Sequence, residues 1–304
     1  MIAIDLGSNT FRCIEYDCTV KQWGREFERI VRTADGMHRT GVISDASIER
    51  VIRAAREAQE RFDFASQEVV AVTTAAMRMA SNAETALERI AREGGVRFRV
   101  IDDAAEAAYT TRAVRNRLEL LKLPAEDFVL IDIGGGSTEV IFYRSGTFES
   151  RSFPVGIVTI AQQCDGPEAV RQALKEALAP VEVYVWEHYA AYGNPKTFVA
   201  TAGTPTTIAA FLQGMTYATY DAAKINGTIL TLPQCGRALE GLMALDDAER
   251  AVYVGVGKET LIVAGVVIVE AFYELLGFDQ AVIVDDGLRE GVALAYCESL
   301  PPRQ

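Results

Sequence analysis

The stretch VLIDIGGGSTEVIFY, residues 129–143, holds two carboxylates, Asp132 and Glu139. Between them lie Gly134, Gly135 and Gly136 and the hydroxyls of Ser137 and Thr138. The flanks are apolar, and a carboxylate beside an apolar strand costs solvation free energy unless something receives its charge. Carboxylate oxygens suit a hydrated Mg²⁺. Glycines let an oxyanion come close to the backbone and leave consecutive N–H groups facing it. The residue types therefore point to handling of a phosphoryl group, where positioning and charge neutralisation do most of the work.

The same plan occurs earlier in the chain. AIDLGSNTFRCIEYD (3–17) and LIDIGGGSTEVIFYR (130–144) both read as an apolar strand ending in Asp, then an apolar residue, Gly, small polar residues and a second strand. Asp5 matches Asp132, and Gly7, Ser8 and Asn9 match the glycine turn. The 127-residue separation is far too long for a solenoid repeat. It fits two related domains, each presenting an Asp and a glycine turn. Neither turn is a dinucleotide fingerprint or a Walker A loop, since no helix follows and no G-K-[ST] appears. A third element, VATAGTPTT (199–207), reads as strand, turn and helix start. Gly203 and Thr204 lie where free N–H groups and the helix dipole favour anions.

These elements need a scaffold. A chain of 304 residues predicts two domains. Strand patterns at 1–6, 11–17 and 21–32, then 128–133, 139–144 and 146–156, alternate with helical ones. A helix is expected from Ser44 and Asp45 with Ile48, Val51, Ile52, Ala55 and Phe62 on one face, and another over 102–117 with acids in its first turns. VRFRVI (96–101) reads as a strand, and 167–192 as one long helix kinked at Pro180. A last strand is expected at 280–284 and a closing helix from Leu288. The alternation gives an α/β class, divided into 1–121 and 122–304, with the closing helix about 287–304 returning to the first domain.

Composition narrows the chemistry. The net charge of −12 argues against a nucleic-acid partner, which needs a basic footprint. Only His38 and His188 are present, which disfavours a zinc site or a Ser-His-Asp triad. Five scattered cysteines without a C-x-x-C pair suggest core residues rather than disulfides. The longest apolar run, 261–269, is too short to cross a membrane, and the opening residues carry no basic, apolar-cored leader. A cytoplasmic location and no membrane partner are expected.

AIDLGSNT, LIDIGGGSTEV, ATAGT and DDGLREGV occur in the order and spacing of the exopolyphosphatase / guanosine pentaphosphate phosphohydrolase family, which the chain resembles from Ile2 to about Tyr296. That family belongs to the actin-like ATPase superfamily, with sugar kinases and heat-shock chaperones. The resemblance implies two actin-like (ribonuclease H-like) domains of mixed sheets flanked by helices, with an active cleft between them. It implies hydrolysis of the terminal phosphate of polyphosphate or the 5′-phosphate of guanosine pentaphosphate. The implied cofactor is Mg²⁺, with Mn²⁺ or a monovalent cation such as K⁺ as variants, and a homodimer is the assembly considered.

Carried over residue by residue, the phosphate-binding turns fall on Gly7, Ser8 and Asn9 and on Gly134 to Thr138, and the metal-holding acids on Asp5, Asp132 and Glu139. The family's arginine falls on Arg78 in TTAAMR, and its catalytic glutamate on Glu106 in DDAAEAA. Glu106 would deprotonate the attacking water, Glu139 would position water or metal, and Arg78 would neutralise charge growing in the transition state. Ala105 and Ala108 stand where the family has a glutamate and an arginine, and GKET replaces its more usual RAD. Longer members carry a helical domain resembling HD phosphohydrolases, so a shorter polyphosphate channel is expected. Two other readings share the fold: an ATP-dependent kinase or ATPase, and a non-catalytic sensor of guanosine tetra- or pentaphosphate.

Overall fold

The computed structural model describes residues 1–301. Residues 302–304, which the closing-helix expectation includes, lie outside them. The chain forms two compact units: Met1–Ala113 together with the chain from Gly287 onward, and Val114–Asp286. The change of unit falls inside the helix Asp103–Leu120.

The first unit is built on β1 (Ile2–Leu6), β2 (Thr10–Asp17), β3 (Gln22–Ile30), β4 (Val69–Thr73) and β5 (Arg99–Val100), in the order β3-β2-β1-β4-β5. β1 to β3 form an antiparallel meander, and β4 and β5 run parallel to β1. β1 is covered on both faces, which is why it reads as a continuous apolar run. Ile2, Ile4 and Leu6 share a core with Val51, Ile52 and Ala55 of the helix Asp45–Arg61. Ala3 packs with Leu288, Val292 and Ala293 of the helix Leu288–Ser299. The helix Asp45–Arg61 starts where Ser44 accepts the Ser47 N–H, a side-chain cap for a donor the helix itself leaves unsatisfied. The expected strand over 96–101 shrinks to Arg99–Val100, since only those residues pair with β4.

The second unit repeats the plan. β6 (Asp127–Ile133), β7 (Thr138–Arg144) and β8 (Thr147–Phe153) form the meander, and β9 (Thr197–Thr201) runs parallel to β6. β10 (Thr228–Thr231) and β11 (Gln280–Ile283) complete the order β10-β11-β9-β6-β7-β8. Val129, Ile131 and Ile133 enter the main core with the helix Ile262–Leu276, whose apolar residues fill nearly its whole circumference. The opposite face of β6 carries Asp132. The expected kink at Pro180 is a full break, giving helices Gly166–Ala177 and Ala179–Tyr192. Proline has no N–H for the preceding turn, and its ring clashes with that turn's carbonyl.

One cysteine expectation is overturned. Cys18 and Cys297 form a disulfide across 279 residues, with Cα atoms 5.3 Å apart. No local pattern announces it, because the return of the helix Leu288–Ser299 to the first sheet is what brings the two together. Cys13 and Cys235 are buried core residues, and burial pushes each thiol up to about 12.

Candidate active site

The two glycine turns share one hydrogen-bonding scheme. The Gly7 N–H donates to the Thr10 carbonyl at 2.9 Å, and the Gly134 N–H donates to the Ser137 carbonyl at 2.9 Å. Among the described residues no acceptor within the chain meets the N–H groups of Ser8 and Asn9, or those of Gly135, Gly136 and Ser137. Each turn therefore offers successive backbone donors to an outside anion. In the second turn the carbonyls are used from the other side: Gly134 O accepts the Ile157 N–H at 3.1 Å and Gly135 O the Val158 N–H at 2.8 Å. This holds the turn by its acceptors. Gly156 makes the approach, since a Cβ there would overlap the Gly135 carbonyl. Sequence reasoning missed Gly156, because a close approach between two loops has no periodic signature.

The acids stand in a row across the second sheet. Asp132 on β6 is the cross-strand partner of Glu139 on β7. Thr201 on β9 lies beside Asp132, and Ser152 on β8 lies beside Glu139. Glu139 is buried, and its Oε1 accepts the Ser137 hydroxyl at 2.8 Å and the Ser152 hydroxyl at 2.7 Å. The matching row in the first unit is different. Asp5 stands opposite Arg12, and Arg12 is paired with Glu28 at 3.0 Å. The sequence echo thus carries opposite electrostatics: acid beside base in one sheet, acid beside acid in the other. Like charges directly across a ladder are destabilising unless another group compensates them.

Two hard-oxygen carboxylates facing one another in a half-buried row fit Mg²⁺, which takes one or two protein carboxylates and completes its octahedron with water and phosphate oxygens. No group of three or more His, Cys, Asp or Glu side chains able to hold a metal occurs among the described residues. Asp5 lies in the first unit; Asp132 and Glu139 lie in the second.

Arg78 and Glu106, both implied by the family resemblance, are in contact. The Arg78 Nη1 lies 2.8 Å from Glu106 Oε2 and donates to the Ile101 carbonyl at 2.8 Å, while Nη2 pairs with Asp103. Asp102 caps the helix by accepting the Ala105 N–H at 2.8 Å, which sets Glu106 in the first turn. Arg78 is thus tied to three groups of its own unit, and its evident effect is to fix the Glu106 carboxylate.

Two hydroxyls expected to face phosphate are spent internally. The fully buried Thr138 gives its hydroxyl to the Val155 carbonyl, and Ser137 gives its own to Glu139. Thr204 is buried against Gly265, where a Cβ would stand 2.8 Å from its Oγ1 and Cγ2. Ahead of the helix Gly203–Leu212, Ala202 sits at φ 71°, ψ −177°, a region glycine enters and other residues rarely do.

Residues 24–300 match the model of the Ppx/GppA phosphatase family. The chain belongs to that family. It is 29% identical to an exopolyphosphatase 2 of Mycobacterium tuberculosis over 319 aligned residues, covering 96% of this chain and 97% of that protein. It is 27% identical to a guanosine-5′-triphosphate,3′-diphosphate pyrophosphatase of Aliivibrio fischeri, covering 98% of this chain and 59% of that protein. The crystal structure of the Aquifex aeolicus Ppx/GppA family member superposes with a TM-score of 0.73 at 28% identity, covering 99% of this chain and 98% of that one. The paired α/β units are those of the two-domain, actin-like Ppx/GppA structures. No helix among the described residues is long and apolar enough to cross a membrane.

Proposed function

We propose that this Ppx/GppA phosphatase hydrolyses a terminal phosphoanhydride, releasing phosphate from inorganic polyphosphate, from guanosine pentaphosphate, or from both. The observation that carries this reading is the facing pair Asp132–Glu139 beside a glycine turn whose N–H groups lack acceptors among the described residues. The N–H groups of Gly135, Gly136 and Ser137, and those of Ser8 and Asn9, bind phosphoryl oxygens and stabilise their charge as the bond breaks. Glu106, fixed by Arg78, accepts a proton from the attacking water. Asp132 and Glu139 are the residues that would hold Mg²⁺; Asp5, whose cross-strand neighbour is Arg12, is the weaker candidate. The ion, when bound, neutralises phosphate charge.

The test is phosphate release from long-chain polyphosphate and from guanosine pentaphosphate by the full chain, with Mg²⁺ and with EDTA. Release from at least one substrate, abolished by EDTA, is expected. Transfer of phosphate from ATP to an acceptor without release from either substrate would favour the kinase reading. Binding of guanosine pentaphosphate without turnover would favour the sensor.

A further inference from the structure

We infer that Ser152, which lies outside every motif that led to the site, is a positioning residue that holds Glu139 in the geometry needed for a divalent cation. The inference rests on the proposed role of Glu139, and it concerns this chain's own hydrogen bonding. Ser152 sits on β8, the edge strand of the second sheet, directly across from Glu139. Ser152 is half-buried between the exposed Arg151 and the buried Phe153, and it donates to Glu139 Oε1 at 2.7 Å. Ser137 donates to the same oxygen at 2.8 Å from the glycine turn.

Two hydroxyls on one carboxylate oxygen fix the plane of the carboxyl group. They also sort its two oxygens: Oε1 is committed to the serines, so any metal or water chemistry at Glu139 runs through Oε2. The direction of the pull matters as well. Ser152 and Asp132 flank Glu139 on opposite strands, so Ser152 draws Oε1 away from the facing acid. The first unit meets the same problem with Arg12, which places a positive charge beside Asp5. An arginine in the Glu139 row would compete with a cation. Serine supplies hydrogen-bond donors without adding a charge to the row.

Hydrogen-bond partners of metal-holding carboxylates typically change metal affinity or activity by about 10- to 100-fold when removed. The test compares Ser152→Thr with Ser152→Val in the full chain. Both side chains are β-branched and suit a strand, so the pair differs only in a hydroxyl against a methyl. Mn²⁺ binding is followed by electron paramagnetic resonance without substrate, alongside kcat and KM for polyphosphate. The Thr variant is expected to bind Mn²⁺ like wild type, and the Val variant about 10-fold more weakly. The Val variant should also lose kcat at fixed Mg²⁺ with KM for polyphosphate unchanged.

Equal Mn²⁺ affinity in the Thr and Val variants overturns the inference, as does absence of Mn²⁺ binding by wild type. A Thr–Val difference in Mn²⁺ binding in a protein that cleaves neither substrate leaves the inference standing and removes the proposed activity. Full activity with equal Thr and Val binding does the reverse.

Discussion

Asp132 and Glu139 face each other across the β6–β7 ladder, two carboxylates at a position where the first sheet sets Asp5 against Arg12. Otherwise matching strands thus set acid against acid in the second sheet where the first sets acid against base.

Asp132→Asn removes one member of the facing pair while keeping its shape. Without divalent ions, relief of like-charge repulsion is expected to raise stability by about 0.2–1 kcal/mol. With Mg²⁺ present, phosphate release should fall by about 100-fold and require more Mg²⁺ for half-maximal rate. Urea denaturation in EDTA, paired with Mg²⁺ titration of activity, checks both. A variant less stable than wild type in EDTA would mean that the pair is already compensated internally.

Glu106→Gln should lower kcat by about 100-fold or more, with the melting temperature little changed. Arg78→Lys keeps the charge but loses the planar fork that reaches Glu106, Asp103 and the Ile101 carbonyl together. It should lower kcat by about 10-fold while KM stays near wild type, as expected for a residue that aims a base. A large rise in KM with kcat preserved would instead place Arg78 on the substrate.

Gly156→Ala adds a methyl group where Gly135 already lies. The glycine turn must shift or the following segment must move, at a stability cost of about 1–3 kcal/mol. Because the displaced atoms belong to the turn proposed to hold phosphate, KM for polyphosphate should rise as well. Thermal melts and steady-state kinetics report the two effects separately, and an unchanged KM would detach this turn from substrate binding.

Ala202→Gly relieves a backbone conformation that costs a non-glycine residue about 1–3 kcal/mol. Set against the added entropy of the unfolded glycine, a net gain of up to about 2 kcal/mol in stability is expected. Chemical denaturation measures it. A loss of stability would show that the surrounding contacts have already absorbed the strain.

Much of this protein was legible one residue at a time. The doubled Asp–Gly strand-turn-strand pattern, the helix over 45–61 and the closing helix follow from short-range periodicity, turn chemistry and capping, which act within a few residues. The motif strings also carried the family, and with it Arg78 and Glu106. Their contact adds something the strings did not state, since 28 residues separate them and only the packing of the helix Asp103–Leu120 closes the distance.

The sequence by itself determined which groups are available: an Asp at the end of the first strand of each echo, two glycine turns, and the alternation that places Asp132 and Glu139 on one side of their strands. The tertiary structure decided what each group faces. Register set Ser152 beside Glu139 and Arg12 beside Asp5; loop packing set Gly156 against Gly135; the returning helix set Cys297 beside Cys18. The physical reason is one of range. Local propensity fixes a residue's own conformation, whereas a partner on another strand or 279 residues away is selected only when the core has closed and each strand has taken its register.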